Sequence, residues 1–193
     1  MQNGRLVLEL PAWAKTFLAA QRGTFASTTE RMRLAIELSR RNVTERTGGP
    51  FGAAVFETET GRLVAAGVNM VEPAHCSLAH AEMVALALAQ QRVGHFDLGA
   101  DGVARELVTS TEPCAMCLGA IPWSGVRRVL CGARDEDARA IGFDEGTKPA
   151  DWSGALTSRG IELVCDVLRD EAGAVLRQYA QAGGRIYNGP SVQ

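Results

Sequence analysis

Ser110-Thr111-Glu112-Pro113-Cys114-Ala115-Met116-Cys117, taken with His80-Ala81-Glu82 upstream, decides how the rest of the chain is read. A strand is predicted over 106–110, and Pro113 then sits where a helix start tolerates proline. The apolar and small residues that follow predict a short helix over 114–123. The i, i+3 spacing puts Cys114 and Cys117 on one face of its first turn. The partial positive charge of a helix N-terminus favours thiolate over thiol there. His80 falls in the first turn of a second predicted helix, 78–93. Two thiolates and a neutral imidazole make a three-ligand zinc site with a fourth position left for water, the mark of a catalytic centre. Glu82, two residues past His80, is placed to move protons rather than to bind metal.

Working outward, Ser27-Thr28-Thr29-Glu30 reads as a capping box opening a helix that ends before Gly48-Gly49-Pro50. Two strands, 51–57 and 62–69, flank a tight turn at Glu59-Thr60-Gly61. The dense apolar run 83–89 predicts a helix buried on most sides. Beyond the cysteines come a strand over 126–133, a short helix over 135–141, a loop over 142–152 and a strand over 161–164. An amphipathic helix over 169–182 follows. The alternation predicts a single α/β domain: a three-layer α/β/α sandwich around a mixed sheet of about five strands. Residues 1–26 read as an N-terminal extension with a short helix over 13–20, and 183–193 as a C-terminal tail.

The 193 residues suit one domain with a real core. A net charge of −2 argues against a nucleic-acid partner. No apolar stretch is long enough to cross a bilayer, and the N-terminus carries no export pattern. Five cysteines without such a pattern favour metal over disulfides; a cytoplasmic location is the expectation. C-x-x-C alone is also compatible with redox chemistry, or with a non-enzymatic module whose structural zinc takes Cys131, His75 or Cys76 as a fourth ligand. The conjunction with His-x-Glu at a second helix start favours catalytic zinc, one ion per subunit.

His-x-Glu followed by Pro-Cys-x-x-Cys is the zinc deaminase signature. Through it the chain resembles the cytidine deaminase-like zinc hydrolases, and within them the purine-base branch that contains bacterial guanine deaminases. Gly49-Pro50-Phe51-Gly52-Ala53, Asn69, Ala120-Ile121-Pro122-Trp123 and Gly142-Phe143-Asp144-Glu145 carry the finer likeness. Pro122 departs from a tyrosine of that branch and Glu145 from an aspartate. The resemblance implies conversion of guanine to xanthine and ammonia, with Glu82 taking a proton from the attacking water and delivering it to ring N3. It implies that Glu145 binds the N1 and 2-amino edge, that Asn69 and Ala81 hold the base, and that Phe51, Trp123 and Phe143 sandwich it. It further implies a homodimer whose tail, through Tyr187, covers an active site, with exchange of tails between subunits as one form. Ammeline, guanosine, a tRNA adenosine and cytosine are the rival substrates.

Overall fold

The computed structural model describes residue 4 and residues 7–189; the remaining positions of both terminal segments lie outside the described residues. Among the described residues, five strands form one mixed sheet in the order β2-β1-β3-β4-β5. The hairpin of β1 (Gly52–Glu57) and β2 (Leu63–Val68) is antiparallel, and β1 pairs antiparallel with β3 (Arg105–Thr111). β4 (Arg128–Ala133) and β5 (Glu162–Val164) continue parallel to β3.

Strand alternation builds the two faces. Ala54, Phe56, Val108 and Leu130 point toward α2 (Thr28–Thr44) and α7 (Arg169–Gln181). Ala53, Val55, Leu107 and Val129 point toward the layer of α3 (Ala81–Val93) and α4 (Ala115–Ser124). β1 and β3 are buried along their whole length, as central strands covered on both faces must be. α2 opens on the expected capping box: Ser27 Oγ accepts from Glu30 N at 3.2 Å and Glu30 Oε2 accepts from Ser27 N at 3.0 Å. α1 (Ala12–Ala20) docks on α2, with the Arg41 guanidinium 4.3 Å from the centre of the Phe17 ring.

Two expectations shift. His80 and Cys114 are not inside first turns; each is the N-cap of its helix, in extended backbone. A capping side chain faces the N3 residue, so Cys114 still meets Cys117. The short α5 (Asp135–Ala140) was expected, but α6 (Trp152–Thr157) was not. It has too few residues to show a period, and it is held by its Asp151 cap, whose Oδ1 accepts from Gly154 N at 2.8 Å. No described helix is long and apolar enough to cross a membrane.

Directionality gathers the site. β2, β3, β4 and β5 all run one way and β1 runs the other. The ends of β2, β3 and β4 and the start of β1 therefore share one edge of the sheet. Asn69 and His80, Cys114, Phe143 and Glu145, and Gly49 and Phe51 sit on those four connections.

Candidate active site

The N-termini of α3 and α4 converge on a cavity of about 340 Å³. His80 and Cys114 line it, and their donor atoms and that of Cys117 are all within 4.8 Å of one another. His80 Nδ1 is 3.5 Å from Cys114 Sγ and 3.6 Å from Cys117 Sγ. Zinc bonds of standard length at a tetrahedral angle place sulfur and nitrogen about 3.6 Å apart, so the three side chains are already spaced for the ion. The thiols are close enough to share a proton. The Cys117 hydrogen bond brings Cys114 down to about 4, while the same contact and burial push Cys117 upward. A divalent cation would let both ionise. Among the described residues, His75, Cys76 and Cys131 do not join this group, which removes the fourth protein ligand that a closed structural site needs.

Three buried carboxyls, Glu82, Glu112 and Glu145, line the same cavity. Glu82 is held above the ordinary carboxylate range, first by burial and then by the Cys114 charge. Glu145 is pushed up to about 8, by burial first and then by Cys114 and Glu82. The Glu145 loop is fastened to α4 by its own carbonyl, which accepts from Ala115 N at 2.9 Å.

Phe51, Phe143 and Tyr187 form the aromatic wall. Phe51 and Phe143 meet edge to face with centroids 5.0 Å apart, and Phe143 and Tyr187 at 5.1 Å. Asn69 lies on the cavity and is 1% exposed. Its Oδ1 accepts from Val71 N at 3.2 Å, which fixes the amide flip and leaves Nδ2 as the donor for a ligand. Tyr187 reaches the cavity of its own chain, so no exchange of tails is needed to put it there. Asn188 anchors the segment: its Oδ1 accepts from Asp144 N at 2.8 Å and its Nδ2 donates to Gly142 O at 3.0 Å. The Tyr187 hydroxyl is buried with no hydrogen-bond partner among the described residues.

One expected contact is absent from the cavity wall, and another narrows to the backbone. Trp123 does not line the cavity; it is 80% exposed and borders a separate surface cleft with Leu118, Pro122 and Pro149. Six residues past Cys117, at 3.6 residues per turn, it falls on a different face of α4 from the cysteines. The Ala81 side chain is fully buried in the α3 layer, so only its backbone N–H, unpaired at a helix start, remains for a ligand. Glu112 and Lys148 were not anticipated. Lys148 Nζ donates to Pro113 O at 3.2 Å and lies 2.7 Å from Asp135 Oδ1 and 3.6 Å from Glu112 Oε2. It ties the Glu145 loop to the Cys114 loop. Glu112 stands in the quoted motif, but no local pattern pairs it with a lysine so far along the chain.

The model of the cytidine and deoxycytidylate deaminase zinc-binding region matches residues 26–133, more than half of the chain. The chain belongs to that family. Within this deaminase family, it is 38% identical over 114 residues to guanine deaminase of Bacillus subtilis (strain 168), covering 59% of this chain and 69% of that one. A solved structure of guanine deaminase from Nitrosomonas europaea is 48% identical, with a TM-score of 0.89, and covers 94% of this chain and 99% of that one. The tRNA-specific adenosine deaminase of Agrobacterium fabrum is 30% identical over 155 residues, covering 76% of this chain and 97% of the other. Phe143, Glu145 and Tyr187 line the cavity from beyond the matched zinc-binding region.

Proposed function

We propose that this protein is a zinc-dependent hydrolase of a purine base, converting guanine and water to xanthine and ammonia. The observation that carries the reading is one cavity that brings together the zinc donors His80 and Cys114, with Cys117 beside them, buried carboxyls that include Glu82 and Glu145, and an aromatic wall, of a size suited to a base rather than a polymer. The likeness to guanine deaminases over nearly the whole chain supports it, and the net charge of −2 counts against a tRNA substrate.

His80, Cys114 and Cys117 hold the zinc, which when bound supplies a Lewis acid that brings a water toward ionisation at neutral pH. Glu82 takes the proton of the attacking water and passes it to ring N3, so that attack at C2 is not opposed by growing negative charge. Asn69 Nδ2 and the Ala81 backbone N–H orient the base against Phe51 and Phe143. Glu145 faces the amine that leaves and serves its protonation. Two carboxyls in different surroundings suit two different proton transfers. Tyr187 closes the cavity. We read the chain as a homodimer, with the exposed Trp123, beside Leu118 and Pro122, as the apolar surface a second copy would cover.

The test is ammonia release by purified protein offered guanine, guanosine, ammeline, cytosine, adenine and an anticodon stem-loop. Guanine should be turned over fastest. Glu82→Gln should keep its zinc and lose roughly 10²–10⁴-fold in kcat. Full activity in that variant would remove Glu82 from the chemistry, and preference for another substrate would replace guanine.

A further inference from the structure

The α2–β1 connection meets both sides of the cavity by backbone alone. A Cβ on Gly48 would lie 1.9 Å from Asn69 O and 2.7 Å from Asn42 Nδ2. One on Gly49 would lie 1.9 Å from the Tyr187 hydroxyl. Behind this connection Asn42, fully buried on α2, uses every part of its amide. Nδ2 donates to Gly49 O at 2.9 Å and to Asn69 O at 2.8 Å, and Oδ1 accepts from Thr47 Oγ1 at 2.8 Å. Thr47 Oγ1 in turn accepts from Trp13 Nε1 of α1 at 2.8 Å. The two carbonyls dictate the Asn42 flip, the flip dictates that the Thr47 hydroxyl donates, and the hydroxyl then has a lone pair for the indole. The other acceptor within reach of the Thr47 hydroxyl, Asn42 O, is farther off at 3.4 Å.

We propose that this chain of bonds sets the base-binding geometry, and that the N-terminal helix α1 is part of the specificity apparatus. Asn42 and Thr47 are positioning residues: they touch no substrate, and act by fixing the main chain of Asn69, and of Gly49 against Tyr187. Phe51 belongs to the same unit, since Phe51 N donates to Gly49 O at 2.9 Å and Phe51 O accepts from Asn69 N at 3.1 Å. A bond lost at Thr47 frees the Asn42 amide to turn, and both walls of the base site can then shift together. His80 shares the β2–α3 connection with Asn69 but is held as the N-cap of α3, and Cys114 and Cys117 stand at the start of α4, so the zinc donors should not respond.

The inference rests on the proposed purine-base site, and the experiment separates the two. Thr47→Val keeps shape and deletes the hydroxyl, Thr47→Ser restores it, and Trp13→Phe removes only the indole donor. With guanine as substrate, Thr47→Val should raise KM roughly three- to tenfold, the range expected for one hydrogen bond. Its kcat should stay within about twofold, with zinc content unchanged. Thr47→Ser should return to the parent KM, and Trp13→Phe should fall between. A parent KM in Thr47→Val, or equal impairment in Val and Ser, overturns the relay. If Thr47→Val does not fold, Trp13→Phe against the parent decides: a raised KM supports the relay and an unchanged one overturns it. Absence of guanine turnover by the parent protein overturns the proposed substrate and the relay with it, whereas parent turnover that Asn69→Ala leaves untouched overturns the base site first.

Discussion

Gly49 shows how little room a residue in this site has. The Tyr187 hydroxyl occupies the space where any side chain on Gly49 would begin. The same Cβ would lie 2.8 Å from Tyr187 Cζ and 3.0 Å from Cε1, so the ring itself would have to move. Gly49→Ala should therefore displace Tyr187 and raise KM for the base by about an order of magnitude, while the zinc content stays at one per chain. Steady-state kinetics with metal analysis checks this, and an unchanged KM would show that Tyr187 does not bear on the base. Glu82 and the three zinc donors differ from Gly49 in legibility. Their residue types and spacing state their chemistry, whereas Gly48-Gly49 reads equally well as a plain helix stop. Trp123 was misleading for the opposite reason: an aromatic near a motif says nothing about which way a helix turn points it.

At the scale of elements, α2 does more than cover the sheet. Its Arg31 side chain is buried, donates from Nε to Phe25 O at 2.8 Å and pairs with the fully buried Glu106 of β3 at 2.6 Å. Arg128 of β4 approaches the same carboxylate at 3.3 Å. Removing one partner of a buried pair strands the other charge, at a cost of about 3–5 kcal/mol. Arg31→Met should lower unfolding stability by roughly that amount, measured by denaturant titration, and leave kcat per folded molecule unchanged. A loss below about 1 kcal/mol would mean that Arg128 satisfies Glu106 alone. The helices and strands with long periods were legible from the chain: the capping box at Ser27, the hairpin, and the apolar α3. Six-residue α6 was not, since its stability comes from an Asp151 cap and from Leu156 buried beneath it.

At the scale of the whole molecule, the C-terminal segment returns to the sheet edge from which the zinc motif starts. Arg185 Nη1 lies 2.8 Å from Glu72 Oε1, and Tyr179 Oη donates to Arg185 O at 2.6 Å, so the tail is seated on the molecule. Deleting residues 185–193 should raise KM and expose the cavity to water, cutting kcat/KM by at least about tenfold, with zinc retained. Kinetics on the truncated protein checks it; full kcat/KM would remove the tail from the site. Sedimentation of the parent and of Trp123→Glu checks the dimer: the parent should run as two chains and the variant as one, and a monomeric parent would exclude it. From the sequence alone came the metal, its three donors, the carboxyl of Glu82 beside them and the layered α/β class, because each depends on side-chain type and short spacing. Only the tertiary structure decided that Asn69, Phe51, Glu145 and Tyr187 share one cavity, that Trp123 does not, and that Asn42 joins α1 to that cavity. Those relations depend on strand direction and on contacts between residues far apart in the chain, and no local pattern carries either.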